Sequence, residues 1–353
     1  LPSLGTAFEV GPAQLGLLVG IYPLMSMLAS PFWGKLSDRY GRKPILLATL
    51  VGGALAFLCF ALSTSWLGLF AGRALQGLAG TPRGIGFAVA SDLSSRDDRA
   101  AKIGYVTAAM AVAFTIGPLI GGLFMGEDPD SWLGQLRAWL GLPGGGFNHV
   151  LPSLLGMILN LLGAVAILIG LKETRRAPAV GEDTTEAPED THHFATAILQ
   201  LSVILAIAFF LLSGFIQGSL QFSFTLWADI SVGWTAQLIA YSGTAIGVGF
   251  ALGSGVVLRP LLKRYGQEKT VLTGTLIDAT GLCWFLYFQP TPIVALFGLL
   301  LAALGNSLWA TTILGLISRQ ISPKDQGLAL GVANGASLMG RVVGPIFAGY
   351  LAG

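Results

Sequence analysis

Charge is what this sequence has least of. Only 11% of its 353 residues are Asp, Glu, Lys or Arg, while 53% are hydrophobic. A soluble domain carries about 25% charged residues and needs a charged surface however large its core, so the deficit excludes an ordinary soluble fold. Cysteine is also scarce. Cys59 and Cys283 both fall inside apolar runs, which speaks against a disulfide framework or a cysteine metal site and predicts two inert core thiols. The three histidines, His149, His192 and His193, lie between the apolar stretches. The His192–His193 pair has no third ligand nearby, so no metal is expected. No nucleophile–base pair or paired catalytic carboxylates occur within the apolar segments, which argues against an intramembrane enzyme. No secretory signal pattern is present.

What is present is apolar length. Crossing the hydrocarbon core takes about 20 mostly apolar residues, and ten such stretches occur: 15–33, 45–65, 68–90, 102–125, 151–171, 197–226, 237–258, 270–288, 292–317 and 328–352. The fold class is therefore an all-α polytopic membrane protein. Its 49 glycines fit spans whose backbones approach closely. The cations sort by loop. Sixteen Lys and Arg cluster at 35–43, 96–102, 172–176, 259–269 and 319–324, whereas the intervening loops hold only Arg137. Basic residues are retained in the cytoplasm, so loops 34–44, 92–102, 172–196, 259–269 and 318–327 are expected inside a cell (inner or plasma) membrane. The first stretch then runs inward and the last ends outside.

The two halves resemble each other. Gly117-Pro118-Leu119-Ile120-Gly121 returns as Gly344-Pro345-Ile346-Phe347-Ala348-Gly349, an offset of 227 that also maps Asp98 onto Asp325 and Gly104 onto Gly331. Near an offset of 225, Arg39-Tyr40-Gly41 returns as Arg264-Tyr265-Gly266. Internal repeats of this kind mark transporters whose bundles rock around a central site. The expected division is an N-terminal bundle, 1–171, a solvated linker, 172–196, and a C-terminal bundle, 197–353.

The first inward loop reads Gly34-Lys35-Leu36-Ser37-Asp38-Arg39-Tyr40-Gly41-Arg42-Lys43-Pro44. Gly34 and Gly41 permit positive-φ turns, Asp38 suits the positive end of a helix dipole, and the basic residues suit a nearby carboxylate. This loop resembles the signature loop of the major facilitator superfamily. The resemblance implies two pseudo-symmetric six-helix bundles. With five spans visible in each half, it implies ten of twelve helices here, the first and last lying beyond this sequence. It further implies that Asp38 faces the helix starting near Gly327, and that Arg39 or Arg42 reaches Asp92, latching the cytoplasmic side. In the second copy Lys263 stands where Asp38 maps, and Gln267 and Glu268 replace the basic pair, so a weaker latch is expected there.

Two further segments extend the resemblance towards the twelve-helix drug:proton antiporters, including the tetracycline exporters. Arg73-Ala74-Leu75-Gln76-Gly77 matches their intramembrane arginine element, which implies that Arg73 tunes the proton carrier and Gln76 lines the cavity. An arginine that only ties helices together remains the alternative. Gly117-Pro118-Leu119-Ile120-Gly121-Gly122 resembles the antiporter motif, in which Pro118 kinks the span and the glycines, Gly117, Gly121 and Gly122, pack closely against a neighbouring helix. Gly344 and Pro345 form the second kink.

Four ionisable residues fall inside spans: Arg73, Arg83, Arg341 and Asp278. Arg83 follows Thr81-Pro82, an expected kink. A surplus of cations would favour an anionic or zwitterionic substrate, unless the cations bond kinked backbones. Asp278 is a candidate proton carrier or a structural contact. Gln217, Gln221, Asn306, Phe222, Phe224, Trp227 and Trp309 fall on helices expected to face the cavity. Trp66, Trp132, Trp227 and Trp234 suit interfacial anchoring. The resulting expectation is alternating-access, proton-coupled export of small amphipathic molecules; uptake or facilitated transport of a defined metabolite, anionic if the cations line the cavity, is the alternative. The implied partners are a small-molecule substrate, protons and the lipid bilayer, with no nucleic acid, no cofactor beyond the proton gradient, and a monomeric state.

Overall fold

A computed structural model describes residues 10–79, 82–94, 99–124, 132–139, 149–174, 201–287, 291–320 and 326–352. Among them every regular element is helical: α1 (Pro12–Tyr40), α2 (Arg42–Ala61), α3 (Trp66–Leu78), α4 (Pro82–Asp92), α5 (Arg99–Leu123), α6 (Trp132–Trp139), α7 (Val150–Gly170), α8 (Leu201–Ile230), α9 (Ala236–Leu252), α10 (Leu258–Tyr287), α11 (Pro292–Gln320) and α12 (Gln326–Ala352). A π-helical segment, Gly253–Val257, joins α9 to α10. With α3 and α4 taken as one broken span, and α10 divided at Gly266, these helices follow the ten expected spans. Among the described residues, six helical stretches, including Pro12–Tyr40, Val150–Gly170 and Pro292–Ile313, are long and apolar enough to cross a bilayer by themselves.

The differences from expectation have local causes. The stretch 68–90 is two helices, because Pro82 opens α4 where a missing N–H costs nothing. Trp33 closes the other side of this break by donating its indole N–H to the Leu78 carbonyl at 2.8 Å, one of the acceptors a helix end leaves open. The loop 259–269 is largely helical, interrupted at Gly266 with φ 76° and ψ −178°. The short helix α6 lies in what the hydropathy marks only as an outer loop.

The residues group into two compact units. One comprises Leu1–Val106, Gly146–Thr225 and Val332–Gly353; the other comprises Thr107–Gly145 and Leu226–Gly331. In the first, α2 and α7 are antiparallel and pinned at both ends. Lys43 Nζ donates to the Leu168 carbonyl at 2.8 Å, and at the opposite end a His149 ring nitrogen lies 3.2 Å from the Ser63 carbonyl. Between the pins, Gly156 faces the Phe57 ring and Gly53 faces the Asn160 amide. Below the signature turn a core of Ile45, Leu46, Ile85 and Val89 packs with Trp33, Leu36, Ile167 and Leu171, fixing α2 against α4. In the second unit α10 and α11 meet through Gly274, Gly281, Gly298 and Gly305, where small residues let backbones touch.

Much of the outer surface is apolar. Ile169 is 82% exposed, Ile293 81% and Leu162 59%, a surface suited to lipid rather than water. That also corrects the reading of the thiols: Cys59 and Cys283 are exposed, not core residues. In lipid the outer face of a helix is as apolar as the inner one, so an apolar run does not reveal which side a residue occupies. Trp234 departs from the anchor expectation as well. It is 4% exposed and packs edge-on against Trp227 at 6.4 Å between centroids. The side chain of Trp132 and the pair His192–His193 lie outside the described residues.

Candidate functional site

The signature loop is a one-residue turn. Gly41, with φ 105° and ψ 159°, separates α1 from α2, and no L side chain adopts that φ cheaply. Gly266 repeats the conformation in the second copy, and the preceding arginines stack alike: Arg39 over Tyr40 at 5.5 Å and Arg264 over Tyr265 at 5.4 Å. Gly34 is a correction. It lies within α1, not in a turn, because the helix continues to Tyr40. There its carbonyl accepts from the Ser37 hydroxyl at 3.0 Å.

Arg42 gathers the charges of the turn. Its Nε donates to Asp92 Oδ2 at 3.0 Å, and its Nη1 donates to Asp38 Oδ1 at 2.5 Å and to Ser37 Oγ at 2.7 Å. One guanidinium thus joins the end of α1, the start of α2 and the end of α4. Of the two arginines considered, Arg42 makes the expected bond to Asp92. The side chains at the start of α12, around Gly327, lie outside the described residues, and with them the expected Asp38–α12 contact. In the second copy Lys263 and Glu268 are exposed, and Lys263 forms no ion pair among the described residues.

Sequence reasoning missed Glu173. It accepts from the Arg42 and Lys43 backbone N–H groups at 2.8 and 3.2 Å. Adjacent to Lys172 at the mouth of a polar linker, it reads as one more solvated charge.

Within the spans, Arg73 and Gln76 share a face of α3. Arg73 Nη1 donates to Gln76 Oε1 at 2.9 Å, with the guanidinium 5.5 Å from the Tyr22 ring centroid. Gln76 is buried. Arg83 is on α4, and its side chain lies outside the described residues. Arg341 on α12 donates to Gln217 Oε1 on α8 at 2.6 Å. Gln221, one turn further along α8, is exposed. The structure also joins two residues that the sequence left apart. Asp278 on α10 accepts from Trp309 Nε1 at 2.9 Å and from the Asn306 side chain, both on α11. Trp309, Phe222 and Phe224 are buried at 5%, 1% and 6% exposure, so these three are packed inside protein instead of lining open space.

Pro118 lies inside α5 and Pro345 inside α12. The close approach expected of the motif's glycines falls on one of the three. A Cβ added at Gly117 or Gly121 would meet nothing within 4 Å, whereas one at Gly122 would meet the Tyr241 ring at 2.7 Å. Glycines of α9 supply the rest: Gly243 faces Pro118, and Gly247 faces the Phe114 and Thr115 backbone. Gly243 and Gly247, four residues apart, form the small-xxx-small pattern that could have flagged this face. In the second copy Gly344 faces the Phe215 carbonyl and Ser219 of α8, and Pro345 is fully buried.

The sequence profile of the Major Facilitator Superfamily matches residues 1–261 and again 228–353. Tetracycline resistance protein, class B, of Escherichia coli is 24% identical over 335 residues, covering 94% of this chain and 77% of that protein. Multidrug resistance protein 1 of Bacillus subtilis (strain 168) is 25% identical over 351 residues, covering 99% and 83%. Among solved structures, a bacterial homolog to the human lysosomal transporter Spinster, inward-facing and unoccupied, aligns with a TM-score of 0.74 at 19% identity over 98% of this chain and 76% of that one. The D-xylose–proton symporter aligns with a TM-score of 0.72 at 14% identity, covering 98% and 83%. The turn at Gly41 and its echo at Gly266 thus sit in a helical fold shared with transporters, in a sequence the family profile spans from end to end: this chain belongs to the Major Facilitator Superfamily of multi-pass membrane transporters.

Proposed function

We propose that the chain is a secondary active transporter that exports small amphipathic molecules by alternating access, driven by proton entry. The relatives are named for resistance to tetracycline and to multiple drugs, which favours drug-like cargo. The observation that carries proton coupling is Asp278. It is an acidic side chain in the middle of a span, held by an indole and an amide from the neighbouring helix. A charge at that depth is costly and marks ion pathways, and neutral donors leave the carboxylate able to take up and release a proton. Arg73, with Gln76 and Tyr22, is the cationic counterpart that tunes this exchange. The ion pairs of Arg42 close the cytoplasmic side while the site faces outward, and the pair Pro118–Gly243 gives α5 and α9 a close seat as the bundles rock.

The test uses full-length protein in proteoliposomes under an inside-acid gradient, with cationic, neutral and anionic amphipathic compounds and an internal pH dye. Substrate-triggered proton efflux, abolished in Asp278→Asn and reduced in Arg73→Ala, is expected. Substrate flux with no proton movement would refute antiport and leave a uniporter.

A further inference from the structure

The start of α2 raises a problem that its own residues do not solve. The first N–H groups of a helix lack intrahelical acceptors, and Gly41 brings no capping side chain. The acceptor comes from 131 residues away. Both oxygens of Glu173 are used, Oε1 for the Arg42 N–H and Oε2 for the Lys43 N–H, and Oε1 also accepts from the Thr174 N–H at 3.0 Å. The carboxylate sits so close that a Cβ on Gly41 would fall 2.5 Å from Oε2. The glycine is needed for its φ, and a Cβ there would push the carboxylate aside. Lys43 returns the contact by donating to Leu168 near the end of α7. Each helix end thereby receives the charge that its dipole favours, an anion at the start of α2 and a cation at the end of α7.

We propose that Glu173 is a positioning residue for the cytoplasmic gate, tying the segment that leads into the linker to the backbone from which Arg42 reaches Asp38 and Asp92. The inference rests on the alternating-access reading above. Arg42 can span α1 and α4 because its own backbone is held in place, and the hold is Glu173. Displacing residues 172–174 releases the Arg42 N–H and lets the guanidinium drift from two carboxylates at once. A shift of residues 172–174 is in this way passed to the gate through the α2 backbone.

The test compares wild type, Glu173→Ala, Glu173→Gln, Asp92→Asn and Glu173→Ala/Asp92→Asn, as the full chain in nanodiscs for hydrogen exchange and in proteoliposomes for transport. In Glu173→Ala the Arg42 and Lys43 amides should exchange about tenfold faster or more, as expected on losing bonds to a charged acceptor. Turnover should fall several-fold at unchanged KM. Glu173→Gln keeps one acceptor oxygen and the side-chain volume, and should lie between. The double variant should be no slower than the worse single one, because both act through Arg42. Unchanged exchange in Glu173→Ala and Glu173→Gln, or effects on turnover that multiply with Asp92→Asn, would overturn the proposal. Failure of the gate reading would look different: Asp92→Asn would then transport normally while the amides still exchanged faster in Glu173→Ala.

Discussion

Replacing Gly247 with alanine tests where the Pro118 region of α5 is held. The added Cβ would stand 2.6 Å from the Phe114 carbonyl oxygen and 2.7 Å from the Thr115 Cα, against about 3.5 Å for an ordinary contact. Both obstacles are backbone atoms, which no rotamer change moves aside. The helices α5 and α9 must part locally by roughly 0.8 Å, a gap that forfeits a quarter to a half of each facing dispersion contact. Together with the strain of overpacking, the cost is about 1–3 kcal/mol. Alanine at Gly117 meets nothing within 4 Å and gains helix propensity, at most about 1 kcal/mol. Thermal melts of the purified full-length protein should therefore show Gly247→Ala lowered by a few degrees, with slower transport, and Gly117→Ala unchanged or slightly raised. A Gly247→Ala melt equal to wild type, or a Gly117→Ala loss as large as that of Gly247→Ala, would refute the assignment of the packing face to α9.

Two further outcomes are expected. Burial holds the His149 imidazole below its usual pKa, with its hydrogen bond to the Ser63 carbonyl working the other way, so the folded protein favours the neutral ring. The unfolded chain then binds the proton more readily, and the stability that goes with burying the neutral ring, fully present above pH about 6.5, is lost as pH falls below that value. The melting temperature of wild type should drop more steeply from pH 7 to pH 5 than that of His149→Gln, and parallel slopes would exclude the link. For the gate, Asp38 is 64% exposed and Asp92 28%, and exposed pairs are worth only about 0–1 kcal/mol. Asp92→Asn should therefore destabilise more than Asp38→Asn in the same melts, with a larger coupling to Arg42→Gln in double-mutant cycles; the reverse order would be inconsistent with this geometry.

How much was legible follows from what a bilayer selects. Hydropathy located the spans and the lysine and arginine positions gave their direction, because both are costs of individual segments in lipid. The turn at Gly41 and its repeat at Gly266 were readable because only glycine takes that φ without strain. The break before Pro82 was visible as a kink, though not as a separate helix.

What tertiary structure alone decided is which face meets which. In water a buried face is apolar and an exposed one polar, so periodicity reports packing. In lipid both faces are apolar. The exposed thiols of Cys59 and Cys283, the buried Trp234, and the seat of Pro118 against Gly243 were therefore hidden in runs that read alike. Partner choice among the polar groups was hidden too. Asp278 meets Trp309 and Asn306 across 31 residues or fewer, and Glu173 reaches Arg42 across 131. Such pairings depend on how α10 lies on α11 and α7 on α2, a matter of geometry between helices that no single segment carries. The sequence determined what crosses the membrane and in which direction; packing determined which charges hold the turn.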